Sequence, residues 1–198
     1  MGGFPKSRLA GLLAVGLWLA YGGPALSQPA DGSATAMAEQ AAKLDELFVE
    51  LKQPGRTDWE KIEDEIGRIW AQSGSPSMDL LLSRGNEALE AEDYATAIEH
   101  FSALIDHAPD FAEGWNGRAT TYYMIGEYGL SISDVEHVLA LNPRHFAALS
   151  GLAFMFETMD EPEMALKALH AAHELTPNRT NINEAVTRLE RLTGDAEL

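Results

Sequence analysis

No cysteine occurs among the 198 residues, which excludes disulfides, thiolate metal sites, a thiol nucleophile and a lipid-modified N-terminal cysteine. Basic side chains are scarce too. Only 14 Lys and Arg face 31 Asp and Glu, a formal net charge of −17. Nucleic-acid backbones and anionic lipid surfaces are bound through clustered Lys and Arg, so neither is expected as a partner. The chain also lacks HExxH, a glycine-rich phosphate loop, a nucleophile on a strand-to-helix elbow, and the alternating acids of a calcium loop. No catalytic residue, cofactor or metal is therefore expected, and the chain is read as a non-enzyme. What is present is 45% apolar and 23% charged sequence, enough for one domain plus a short appendage.

The appendage has the layout of an export signal. Lys6 and Arg8 precede the apolar run Leu9 to Ala20, then Gly22-Gly23-Pro24 and the small residues Ala25 and Ser27. The run is short for a span, since crossing hydrocarbon as a helix takes about 20 apolar residues. Residues 1–27 are thus expected to be a secretory signal peptide cleaved after Ser27, which would place the mature protein in the periplasm with 12 basic against 31 acidic side chains. Retention of the segment as an anchor is the alternative. Residues 28–37, small and polar, read as a flexible linker.

A fixed period organises the remainder. Pro109, Pro143 and Pro177 are 34 residues apart, each after an apolar helical stretch. Counted back from them, small residues recur at Gly85, Ala119 and Ala153 and again at Ala97, Ser131 and Ala165. Bulky ones recur at Leu81, Trp115 and Leu149, and at Phe101, Val135 and Leu169. The pattern describes two antiparallel helices per unit, close where the small residues allow it and ended by proline, which lacks an amide hydrogen and biases its predecessor away from helical angles.

These columns resemble tetratricopeptide (TPR) repeats: residues 78–111 supply Gly85, Tyr94, Ala97, Phe101 and Pro109, residues 112–145 supply Trp115, Ala119, Tyr122, Gly126, Tyr128 and Pro143, and residues 146–179 keep Leu149, Leu152, Ala153, Ala165, Ala172 and Pro177. The resemblance implies an all-α solenoid, a right-handed superhelix of antiparallel helix pairs. Arg84 and Arg118 depart from the usual Leu, and Ser131 from the usual Ala.

Helical caps are expected at both ends. In residues 38–77, Leu44, Leu47, Phe48 and Leu51 make one apolar stripe, and a second helix opens with the capping-box spelling of Thr57 to Glu60 and buries Trp59, Ile62, Ile66, Ile69 and Trp70. This hairpin is read as a degenerate repeat covering the first true one. Residues 180–198, with Ile182, Ala185, Val186, Leu189 and Leu192, form the C-terminal capping helix, ended at Gly194.

By the resemblance, first helices line a concave groove at Asp79, Leu82, Asn86 and Leu89, then Glu113, Asn116, Thr120 and Tyr123, then Ala147, Ser150, Phe154 and Glu157. Asn86 and Asn116 are suited to a peptide backbone, and Tyr123 and Phe154 to apolar anchoring. The structural alternative for Phe154 and Leu89 is packing against the next repeat. Clamps for chaperone tails place Lys or Arg in this groove together with Asn. Only Asn86 matches, with Leu82, Asn116, Ala147 and Gly151 in place of the cations, which speaks against such a receptor. For Arg84 and Arg118 the ordinary role is an ion pair, with Glu87 and Asp134 respectively. His170 and His173, three apart on one helix, lack a third ligand in register and are read as surface histidines. The expected function is a scaffold or adaptor of the bacterial cell envelope that binds a protein or peptide partner. The alternatives are a membrane-tethered assembly subunit and a small-ligand carrier.

Overall fold

A computed structural model describes residues 31–196, which form nine α-helices: α1 (Asp31–Leu51), α2 (Trp59–Trp70), α3 (Pro76–Glu90), α4 (Tyr94–His107), α5 (Ala112–Met124), α6 (Tyr128–Leu141), α7 (Phe146–Thr158), α8 (Pro162–Leu175) and α9 (Thr180–Ala196). The expected signal peptide and cleavage site lie outside the described residues. The all-α solenoid of helix pairs is present in α3/α4, α5/α6 and α7/α8, each pair joined by a short turn.

The turns are set by two recurring devices. After the second helix of each pair comes a residue with non-helical angles, Ala108, Asn142 or Thr176 with ψ of 68°, 89° and 65°, and then the repeat proline, whose ring disfavours helical angles in its predecessor. After the first helix, Glu92, Gly126 and Asp160 occupy one column, with φ of 59°, 81° and 61°. This left-handed residue lets the next amide reach back, and the N–H groups of Asp93, Glu127 and Glu161 each donate at 2.9 Å to the carbonyls of Ala88, Tyr122 and Phe156. The result is a Schellman-type ending repeated three times.

The small-residue columns do the packing. Ala97, Ala119, Ala153 and Ala165 are at most 2% exposed. The fully buried Phe101 ring lies against both Gly85 and Gly117, where an added Cβ would overlap it. Trp115 donates from Nε1 to the Pro109 carbonyl at 2.8 Å, tying one repeat to the turn before it.

The hairpin α1/α2 is elsewhere than expected. Leu47, Phe48, Leu51, Ile62 and Ile66 do not join the first repeat's core of Leu82, Ala88, Ala97, Phe101 and Leu104. They share a cluster with Phe146, Leu149 and Leu169 of the third pair and with Ile182 and Leu189 of α9. The aromatic residues explain the choice. Phe48 meets Phe146 with ring centroids 6.5 Å apart, and Trp70 lies on Phe146 at 5.2 Å and on His145 at 4.6 Å. Burying such side chains gains roughly 1.5–3 kcal/mol each, so the hairpin docks without the small-residue columns of a true repeat. It covers the edge formed by the turns before α7 and α9. Arg144 of the first turn pairs with Asp45 at 2.7 Å, and Asn178 of the second bonds the end of α1.

Three local expectations also change. Helix α1 begins at Asp31, so residues 31–37 of the expected linker are helical, as alanines at 34, 36 and 38 favour. The capping box of α2 does not form: the N-cap is Asp58, and its carboxylate is taken by Arg56 at 2.7 Å. Gly194 lies inside α9, which continues to Ala196.

Candidate functional site

Helices α5 and α7 stand side by side with α6 beneath them, and a cavity of about 340 Å³ opens between them. Asn116, Thr120 and Tyr123 line it from α5, Ser131 and Val135 from α6, and Ala147, Gly151, Phe154 and Met155 from α7. The helical spacing of Asn116, Thr120 and Tyr123 puts the three on one face. Opposite them, Ala147 and Gly151 leave space where larger side chains would fill it. Tyr123 and Phe154 meet edge to face, centroids 5.7 Å apart at 83°, and Tyr128 lies 5.8 Å from Tyr123. Phe154 stays 56% exposed, so it forms a wall and is not consumed by packing against its neighbour. No Asp, Glu, His, Lys or Arg lines the cavity. Its polar groups are neutral, and three are engaged: the Thr120 hydroxyl donates to the Asn116 carbonyl at 2.9 Å, Ser131 Oγ donates to the Ala119 carbonyl at 2.7 Å, and Asn116 Nδ2 donates one hydrogen to Glu113 Oε2 at 3.4 Å.

Five of the expected groove residues, Asn116, Thr120, Tyr123, Ala147 and Phe154, therefore come together. The remaining ones do not line this cavity. Ser150 donates its hydroxyl to the Phe146 carbonyl at 2.8 Å and faces a smaller cavity of about 210 Å³ between α7 and α9, which Phe154 also borders. Asn86 is exposed on α3 and outside both cavities. Leu82 is buried in the first repeat's core, and Asp79 accepts from the Ser73 amide at 2.8 Å, ordering the entry to α3.

Glu113 is drawn away by a residue the sequence reading passed over. His145, 2% exposed, caps α7 by accepting the Ala148 amide hydrogen on Nδ1 at 3.1 Å, which leaves Nε2 to donate to Glu113 at 3.1 Å. With Trp70 stacked on its ring, His145 ties the hairpin, α5 and α7 together. Its position immediately before the third repeat was the available signal. The histidine pair on α8 is likewise engaged: His170 with Glu190 at 3.2 Å and His173 with Asn183 at 2.7 Å, both on α9. Among the described residues no group of three or more His, Asp or Glu is placed to hold a metal ion, and no helix is long and apolar enough to cross a membrane.

No family model matches the chain. A TPR repeat-containing protein of Rhizobium etli is 37% identical over 155 residues, covering 77% of this chain and 76% of that protein. The chain belongs to the tetratricopeptide-repeat family. The small glutamine-rich tetratricopeptide repeat-containing protein 2 of Saccharomyces cerevisiae is 28% identical over 133 residues, and there the match spans 38% of the relative's length. Among solved structures, the fold is shared with the first TPR of Spaghetti (RPAP3) bound to the Hsp90 peptide SRMEEVD, at a TM-score of 0.56 and 21% identity over 59% of this chain and 93% of that one. It is also shared with MamA, at 0.56 and 18% identity over 70% and 85%.

Two departures of this TPR chain from its family pattern have structural reasons. Arg118 makes a two-pronged pair with the buried Asp134, at 2.8 and 2.9 Å, and reaches Ser102 at 3.1 Å, so one guanidinium joins α4, α5 and α6. Ser131 fits the alanine column because its hydroxyl has the Ala119 carbonyl as acceptor. The Arg84–Glu87 pair is not made, since Glu87 accepts from Ser83 at 3.0 Å and Arg84 stays exposed.

Proposed function

We propose that this chain is a non-enzymatic adaptor of the bacterial cell envelope that holds a segment of a partner protein against α5 and α7. The reading rests on one arrangement above all: Asn116, Thr120, Tyr123 and Phe154 converge on a preformed, uncharged cavity with an aromatic wall. A bulky apolar side chain entering it gains roughly 25 cal/mol per Å² of apolar surface removed from water. Asn116 gives one amide hydrogen to Glu113 and keeps the other, with its Oδ1, for a passing main chain. Family neighbours caught with peptides, including the RPAP3 domain with its Hsp90 peptide and the TPR2B domain of yeast Sti1 in complex with pHsp70, support a polypeptide as the occupant. The absence of Lys and Arg from this cavity argues against an acidic chain terminus here. The envelope location is drawn from Lys6, Arg8, the apolar run and the small residues Ala25 and Ser27.

Affinity capture from an envelope extract tests the reading, using the wild-type chain beside Asn116→Ala/Tyr123→Ala/Phe154→Ala. The same partner should be recovered with the first and lost with the second, and equal recovery would remove the cavity from the account. The mass of the protein isolated from the producing cell gives the address. A start at Gln28 supports a periplasmic form, and an intact N-terminus would support a membrane-tethered one instead.

A further inference from the structure

The first-to-second-helix turns of the three repeats lie on the edge away from the hairpin, and they share a composition. Glu90, Glu92 and Asp93 in the first, Glu127 in the second and Asp160, Glu161 and Glu163 in the third are all exposed, and no Lys or Arg occurs in those turns. Large apolar side chains stand among them without cover. Met124, Ile125 and Leu130 flank the second turn, and Met159 and Met164 the third, each 43–52% exposed. Both turns adjoin the cavity, because Tyr123 is the penultimate residue of α5 and Phe154 lies four residues before the end of α7.

The four cations between residues 76 and 177 do not offset this charge near the cavity. Arg118 is held by Asp134 and Arg144 by Asp45, Arg84 is on the first repeat, and Lys167 lies further along α8. Across the groove, Arg188 of α9 is bound to Glu157 at 2.6 Å. An uncharged apolar cavity thus has an acidic rim bearing flexible methionines, side chains that adapt to varied apolar partners.

We infer that the occupant is a basic segment, with Lys or Arg on both sides of one bulky apolar residue. The apolar residue enters between Tyr123 and Phe154, and the flanking cations meet Glu127, Asp160 and Glu161. This rests on the proposed use of the cavity and adds the partner's chemistry. Opposed charge speeds encounter and excludes acidic competitors, while burial of the anchor holds the complex. A second copy of this chain does not meet the requirement, since it would bring acidic turns against acidic turns. A segment ending in free carboxylates would meet the same repulsion.

Fluorescence anisotropy with the purified full chain tests this, using three labelled, amidated nonapeptides. The first is Ala-Lys-Lys-Ala-Phe-Ala-Lys-Lys-Ala, the second carries Glu for every Lys, and the third carries Ala for Phe. The first should bind at least about tenfold more tightly than either other at low salt, and its lead over the acidic peptide should shrink as salt rises. Neutralising the rim with Glu127→Gln/Asp160→Asn/Glu161→Gln should reduce that lead to about twofold or less. Neutralising three exposed acids on second helices, Glu99→Gln/Glu136→Gln/Glu174→Gln, should leave it intact. If the two Phe peptides bind equally and Tyr123→Ala/Phe154→Ala abolishes both, the cavity keeps its role and the basic partner is overturned. If affinity ignores Phe and follows total charge in either triple variant, binding is nonspecific and the inference falls. If no peptide responds to the cavity variants, both readings fall.

Discussion

Asn178 and Leu51 are 127 residues apart in the chain and bonded in the structure: the Asn178 side-chain amide donates to the Leu51 carbonyl at 3.1 Å. The same side chain donates to the Gln53 carbonyl at 2.8 Å and accepts from the Gly55 amide at 2.9 Å. One residue in the turn before α9 therefore satisfies the backbone groups that α1 leaves open at its end. Replacing Asn178 with Ala should cost about 1–2 kcal/mol. Hydrogen exchange should accelerate at residues 48–56 while amides around Phe101 keep their protection. Unchanged exchange at 48–56 would show that the turn does not hold the hairpin.

Phe101 is confined from two sides. A methyl group at Gly117 overlaps its ring, and the ring cannot retreat because Gly85 lies on its other side. Gly117→Ala should therefore lower stability by about 1–3 kcal/mol, read as a fall in the urea midpoint. Gly151→Ala, inside α7 where the added atom meets nothing within 4 Å, should instead raise stability by about 0.5–1 kcal/mol. Comparable losses at the two positions would contradict the packing described.

The left-handed turn column gives a gain as well as a loss. Glu92 holds a φ of 59° that glycine adopts freely, so Glu92→Gly should stabilise the chain by about 0.5–1 kcal/mol. Gly126→Ala, at the equivalent place, should destabilise it by a similar amount. Thermal midpoints moving in the same direction for both would show that backbone strain is not what distinguishes them.

Glu63 makes stability depend on pH in the sense opposite to a salt-bridged acid. Burial pushes its carboxyl from the ordinary 4.5 up to about 7, with Arg179 at 3.5 Å pulling it down and Asp64 and Glu60 adding to the rise. Between these values the native state keeps a proton that the unfolded chain releases. This group's contribution is therefore full below about 4.5 and is lost as pH rises through about 7. Glu63→Gln removes the titration with little change of shape. Its advantage over wild type should grow between pH 5.5 and 8 by about 1–2 kcal/mol. Parallel urea midpoints for the two chains across that range would show that Glu63 does not titrate as described.

The repeats were legible because several signals agree at one period: the prolines fix the phase, and Gly85, Ala119 and Ala153 mark where helices approach. The hairpin's place was not legible. An amphipathic stripe such as Leu44 to Leu51 says that a face is buried, not against what, and Phe48 finds Phe146 almost one hundred residues later. Within the site, Asn116, Thr120 and Tyr123 could be grouped because helical spacing puts them on one face. Ser150 and Asn86 were placed by analogy between repeats, but α9 gives Ser150 a separate cavity and Asn86 lies a repeat away. Leu82 carried its own warning, since an apolar residue at a groove position can turn inward. The loss of Glu113 to His145 depends on a tertiary contact that no period reveals.

Site-specific photo-crosslinking in the producing cell shows where the partner sits on the helices. A photoreactive residue is placed at Thr120, inside the cavity, or at Ser133, exposed on α6, in the full chain. A partner seated between α5 and α7 should give a discrete protein adduct from position 120 that disappears with Phe154→Ala, and none from position 133. An adduct from 133 alone, or the same adduct from both, would contradict a partner seated between α5 and α7.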